Sequence, residues 1–185
     1  MREFGKFLGA VIVLGAALFA SMLVPDRVLS DDEIVPVVVG EPMHISIPNI
    51  GVDADIEPVG KLEGGKMGVP FIPMNAGWYQ HGPRPGELGS AVLDGHVNWF
   101  GGVNAVFADL HAVQVGDRII ITDDKEVART FVVERTERYR PMDDAREVFK
   151  SQDDLVRLNL ITCDGPWDEV MKTHSFRLVV FAVEQ

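Results

Sequence analysis

From about residue 43 onward, apolar and polar positions alternate in short runs separated by turn residues. His44-Ile45-Ser46-Ile47 alternates and stops at Pro48, and Val52-Asp53-Ala54-Asp55-Ile56 alternates again after Asn49-Ile50-Gly51. Ala91 to Leu93 is a short apolar strand. Gly116-Asp117 is a turn before Arg118-Ile119-Ile120-Ile121-Thr122, and Asp123-Asp124-Lys125 is another before Thr130-Phe131-Val132-Val133-Glu134. Leu158 to Thr162 and Phe176 to Val183 complete the set. Short β-branched runs bounded by Gly, Pro and Asp predict an all-β barrel or sandwich. Two short helices are expected beside the strands. One spans 103–110, with Val103, Val106, Phe107 and Leu110 on one face. The other runs from an Asp143-Asp144 cap through Phe149.

The N-terminus follows a different pattern. Phe7 to Val24 is uncharged over 18 residues, about 27 Å of helix against a roughly 30 Å bilayer core. Arg2 and Lys6 precede it, and Asp26, Asp31, Asp32 and Glu33 follow, which predicts an inside N-terminus and an outside remainder. The reading is a membrane anchor over 1–24, with a cleaved signal peptide as the alternative. Residues 25–42, with Pro25, Pro36, Gly40 and Pro42, read as an extended linker, and 43–185 as the folded domain. The expected location is the cell membrane, single-pass, with the domain extracellular.

Charge and cysteine count narrow the functional classes. The net charge is −11, and no Lys/Arg cluster forms a nucleic-acid or lipid-headgroup patch. A single cysteine excludes an internal disulfide framework. That thiol, Cys163, ends the alternating run Arg157 to Thr162. His96 follows the run Ala91 to Gly95, and Arg177 opens the run Leu178 to Ala182. A thiol attacks as thiolate, an imidazole can protonate a leaving amine, and a guanidinium can favour the thiolate or bind an oxyanion. Each residue alone also reads as an ordinary core thiol, loop histidine or strand-end charge. Asp53, Asp55 and Glu57 read as a solvated strand face, so no metal is assigned, and Cys163, His96 and His174 match no common zinc spacing.

Leu160-Ile161-Thr162-Cys163 resembles the Leu-x-Thr-Cys signature of sortases, Gly95-His96 their catalytic Gly-His, and Arg177 their active-site arginine at the start of the last strand. The segments 47–54, 77–79, 85–92 and 115–117 resemble the sortase domain too, most closely the class F branch with class E as near rival. The resemblance covers about 43–183. It implies an eight-stranded sortase-type β-barrel with one or two short helices, preceded by the transmembrane helix, and it needs no cofactor. It implies cysteine transpeptidation of surface proteins bearing a C-terminal Leu-Pro-x-Thr-Gly-like sorting signal. Cys163 would attack the Thr–Gly bond, His96 would protonate the leaving amine, and Arg177 would hold substrate backbone and oxyanion. Thr162 would help shape the substrate groove. The acyl group would pass to an amine of a cell-wall precursor or of another protein.

Two departures stand out. Asp164 follows the cysteine where many relatives have Gly, and would oppose the thiolate if it pointed inward. The stretch Lys172 to Phe176 also differs, and His174 within it is a candidate second imidazole. Two other functions remain open: a cysteine hydrolase on the same frame, and a non-catalytic exported peptide-binding barrel.

Overall fold

Strand β1 (Pro42–Ile47) turns through a 3-10 segment at Pro48–Ile50 into β2 (Val52–Val59). Gly51 closes that turn with φ 66°, a left-handed conformation that suits glycine. β3 (Ala76–Tyr79), β4 (Gly89–Gly95), a small hairpin of β5 (Asn98–Trp99) and β6 (Val103–Asn104), β7 (Arg118–Asp123) and β8 (Ala128–Tyr139) follow. A one-turn helix α1 (Arg146–Phe149) precedes the long strands β9 (Val156–Asp168) and β10 (Thr173–Glu184). This computed structural model describes residues 38–151 and 153–185. The expected membrane helix and the linker up to residue 37 lie outside the described residues. Among the described residues, no helix is long and apolar enough to cross a membrane.

Eight strands close into a barrel in the order β1-β2-β3-β4-β9-β10-β8-β7. The β2–β3 and β4–β9 pairs are parallel and the rest antiparallel. Closure leaves the barrel sheet itself without a free edge. Alternation places Leu93, Leu158, Leu160, Leu178 and Val180 inside, in one core with Ile45, Ile121 and Phe131. The opposite faces of β4, β9 and β10 carry Val92, Ile161, Val179 and Phe181, which pack with Tyr139 and Val148 in a second, outer cluster. Asn159 Nδ2 donates to the Val148 carbonyl at 2.6 Å, fixing α1 against β9.

The all-β expectation holds, and the seven runs read as strands lie in seven of the eight barrel strands. The eighth, β3, has no alternation to reveal it: Ala76, Gly77 and Trp78 are all buried. The helix expected over 103–110 does not form. Gly101 and Gly102, both at φ 77°, turn the chain so that Val103–Asn104 pairs with Asn98–Trp99. The amides of Ala105, Val106 and Phe107 then donate to the carbonyls of Val97, Pro73 and His96, distant partners that replace helical ones. Val106, Phe107 and Leu110 are still buried together while Val103 is exposed, because turns can gather the same positions as a helix. The second helix does form, as α1, with Asp144 Oδ1 accepting from the Arg146 amide at 3.1 Å. At the start of the domain Val39 is buried, and the amides of Gly40 and Glu41 donate to the carboxylates of Asp123 and Asp124.

Candidate active site

Strand register assembles the site. Cys163 on β9 is paired directly with Arg177 on β10. On the other side of β9, Gly95 of β4 is paired with Thr162. Because β4 and β9 are parallel, His96, one residue on, comes level with Cys163. Adjacent strands lie about 4.8 Å apart, so residues far apart in the sequence become neighbours on the outer face of three strands.

Gly95 is fixed by space and by a hydrogen bond. A Cβ there would meet Phe107 Cδ2 at 2.4 Å and Val106 Cγ1 at 2.6 Å. Its carbonyl accepts from Thr162 Oγ1 at 2.8 Å. Thr162 is therefore placed otherwise than expected. Its side chain is inward and buried, so it forms no part of the groove surface. Its hydroxyl instead ties the cysteine strand to the residue before His96.

His96 Nε2 lies 3.2 Å from the Pro70 carbonyl. A carbonyl only accepts, so Nε2 carries the hydrogen, and in the neutral ring Nδ1 holds the free lone pair. The Pro70 segment is itself held by Glu57, whose carboxylate accepts from the amides of Phe71 and Ile72 at 2.9 and 3.1 Å and from Asn75 Nδ2 at 2.9 Å. Desolvation raises the Glu57 pKa, but these three donors outweigh it and keep the carboxyl below its ordinary value. Glu57, read from the sequence as part of a solvated face, is a loop clamp one step from His96.

Arg177 turns its guanidinium onto its own hairpin. It donates to the carbonyls of His174 and Phe176 at 3.1 and 2.9 Å and to Thr173 Oγ1 at 2.7 Å. These acceptors are neutral, and among the described residues no carboxylate pairs with it, so its charge is not cancelled at short range. Burial pushes the Cys163 thiol above its ordinary pKa; Arg177 opposes that shift and the Asp94 carboxyl adds to it. Burial thus outweighs the Arg177 charge, which the sequence offered as a group that could favour the thiolate.

Asp94 is the residue the sequence hid. It sits on β4, paired with Ile161, two positions before Cys163 on the same face of β9. Its Oδ1 is buried without a hydrogen-bond partner, and a Cβ on Gly77 would meet that atom at 2.7 Å. Burial pushes its carboxyl up to about 8. Asp164 has a different setting: it pairs with Arg138. The carboxylate that opposes the thiolate is Asp94, not Asp164.

His96 and Cys163 open into a cleft of about 380 Å³, walled also by Val97, Asn98, Trp99, Phe100, Trp167 and His174. Trp99 lies 5.0 Å from the His96 ring, and Phe100, 82% exposed, forms the rim. His174, the candidate second imidazole, reaches this cleft. Its Nδ1 hydrogen bonds the Gly165 carbonyl at 2.8 Å, and its ring stands edge-on to Trp167 at 5.4 Å. Trp167 had no signal in the sequence beyond its type. It reaches the cleft because β9 and β10 run on past the barrel as a hairpin. A thiol, an imidazole and an unneutralised guanidinium beside an aromatic-walled cleft can form and resolve a covalent acyl intermediate.

Comparison with known proteins agrees with this geometry. No curated protein sequence matches the chain. Sortase A from Corynebacterium diphtheriae, in a lid mutant, superposes with a TM-score of 0.60 at 22% identity, over 78% of this chain and 69% of that one. Sortase C1 from Streptococcus agalactiae gives 0.60 at 20% identity, over 77% and 66%. A Clostridium perfringens sortase D5 transpeptidase gives 0.58 at 24%, over 79% of each chain. These likenesses establish the barrel. The sortase domain family model matches residues 45–185, most of the chain and nearly all of its described part, and on that match the chain belongs to the sortase family.

Proposed function

We propose that this sortase-family chain is an exported cysteine transpeptidase acting on a Leu-Pro-x-Thr-Gly-like sorting signal, with Cys163, His96 and Arg177 as its catalytic residues. The observation that carries the reading is the register of β4, β9 and β10, which sets His96 level with Cys163 beside one cleft and pairs Cys163 with Arg177 on the next strand. In the first half-reaction the Cys163 sulfur bonds to the threonine carbonyl carbon, and its proton passes to His96. The tetrahedral oxyanion is stabilised by the Arg177 charge. The Thr–Gly C–N bond then breaks, the His96 proton goes to the departing glycine amine, and a thioester remains on Cys163. In the second half-reaction an incoming amine gives its proton to neutral His96, attacks the thioester and displaces the sulfur, which recovers the proton. The raised thiol pKa fits a proton transfer coupled to attack rather than a resting thiolate.

The proposed setting is the outer face of the cell membrane, with residues 7–24 as anchor and the domain outside. The proposed acceptor is the amine of a cell-wall precursor or of another surface protein. The motif likeness points to class F.

The test uses the full chain in non-ionic detergent, with Leu-Pro-x-Thr-Gly and Leu-Ala-x-Thr-Gly peptides, with and without glycine-type amines. Product masses are read against Cys163→Ala. A Cys163-dependent amide product that appears only with amine supports transpeptidation. Free acid alone, whatever amine is supplied, contradicts it and identifies a hydrolase.

A further inference from the structure

The cleft that walls Cys163 is not the largest in the domain. A cleft of about 580 Å³ lies at the other end of β4, between the β3–β4 connection and the residues after α1. It is lined by Lys61, His81, Ser90 and Lys150, with Tyr79 and Phe149 among its apolar walls. Ser90 and His96 stand at opposite ends of β4 and its extension, about 20 Å apart at strand rise, so the two clefts are separate.

Three features give this cleft a chemistry. The chain carries a net −11, yet among the described residues no carboxylate lines the cleft and neither Lys61 nor Lys150 makes an ion pair. Ser90 is only 2% exposed, and its Oγ has no hydrogen-bond partner. A buried hydroxyl left unpaired is destabilising, and an acceptor atom entering the cleft would relieve it. Tyr79 stands edge-on to both His81 at 5.6 Å and Phe149 at 5.8 Å, giving an apolar surface beside the cationic groups. The volume falls in the range of small-ligand sites.

We propose that this cleft is a binding site for a phosphate-bearing ligand, with the phosphoryl oxygens held by Lys61, Lys150 and the Ser90 hydroxyl. Tetrahedral oxyanions suit this set. Several acceptor oxygens meet two ammonium groups and one hydroxyl donor, while the organic part of the ligand rests on Tyr79 and Phe149. The phosphoryl group can belong to a free solute or to a lipid headgroup. This site does not depend on the chemistry proposed for Cys163.

The test is a titration of the isotope-labelled full chain in non-ionic detergent, followed by amide chemical shifts. The probes are inorganic pyrophosphate, for a free solute, and a short-chain phosphatidic acid, for a lipid headgroup. Acetate and sodium chloride at matched ionic strength are the controls. The expected result is a saturable shift at Ser90 and Lys61 with at least one phosphate probe, absent with both controls. The tighter probe identifies the source. Lys61→Gln combined with Lys150→Gln should weaken binding about tenfold or more, the loss expected for charge-assisted hydrogen bonds. Ser90→Ala should weaken it as well. The alkylation rate of Cys163 in each variant, unchanged, reports an intact fold. No saturable shift with either phosphate probe, an equal response to acetate, or unaltered binding in the double variant would overturn the proposal.

Discussion

Replacing Asp94 with asparagine keeps the side chain's shape and removes a buried ionisable group. In the unfolded chain an aspartate carboxyl titrates near about 3.9, whereas in the fold burial lifts Asp94 to about 8. Between about pH 4 and pH 8, then, the folded state holds a proton that the unfolded state has lost. Stability must fall as pH rises through that window. At about 1.36 kcal/mol per pKa unit, the cost reaches about 1.5 kcal/mol at pH 5 and about 4 kcal/mol at pH 7. The Asp94→Asn variant escapes this cost, so its stability advantage over the parent should widen by about 2 to 3 kcal/mol between pH 5 and pH 7. Urea unfolding of both full-length proteins at pH 5, 6, 7 and 8 measures the gap directly, since all other titrating groups are common to both. Alkylation gives a second reading. Without the Asp94 charge, the midpoint of Cys163 reactivity should move to lower pH. A stability gap independent of pH, or a variant less stable than the parent at pH 7, would refute the argument.

Other perturbations have equally definite outcomes. Arg177→Gln removes the charge that opposes the rise of the Cys163 pKa, so the alkylation midpoint should move to higher pH; no movement would mean that the guanidinium does not act on the sulfur. Gly95→Ala forces a Cβ to within 2.4 Å of Phe107 and 2.6 Å of Val106. It should cost about 1–3 kcal/mol by overpacking, readable as a lower urea midpoint together with loss of cleavage as His96 is displaced. Glu57→Gln weakens the clamp on Phe71 and Ile72, so hydrogen exchange at those two amides should accelerate. Because the Glu57 carboxyl is held below its ordinary value, its contribution is present above the unfolded-state pKa and is lost as pH falls through the folded one. The parent should therefore match the variant's exchange at those amides in acid.

Alternation made most of the barrel legible because most of its strands bury one face in a common interior. The same rule hid β3, where Gly77 is buried beneath Asp94 and Pro70 and both faces are covered. It also misled over 103–110, since the spacing of Val106, Phe107 and Leu110 is satisfied by turns whose amides reach Val97, Pro73 and His96. Cys163, His96 and Arg177 were legible from their residue types at strand ends and from the sortase likeness. Their adjacency was not, because it depends on which strands pair and in what register. Thr162, expected to help shape the groove, lies on the inward face that it shares with Leu158 and Leu160. Asp94 was invisible for a different reason: a polar residue on the outer face of a strand reads as solvated, and here its Oδ1 is buried against Gly77. His81, Ser90 and Lys61 are similarly unremarkable in the sequence and meet only when β4 and its flanking loops are folded.

The central claim is that Cys163 forms a thioester with the carbonyl of a sorting-signal threonine. Intact-mass spectrometry of the full chain, quenched in acid during incubation with a Leu-Pro-x-Thr-Gly peptide and no amine, reads that bond directly. The account predicts an adduct with the mass of the peptide up to its threonine. The adduct should map to Cys163, be absent in Cys163→Ala, be much reduced in His96→Ala, and be discharged by added amine with formation of the amide. Cleavage of the peptide by Cys163→Ala at the parental rate, or an adduct on any residue other than Cys163, would contradict it.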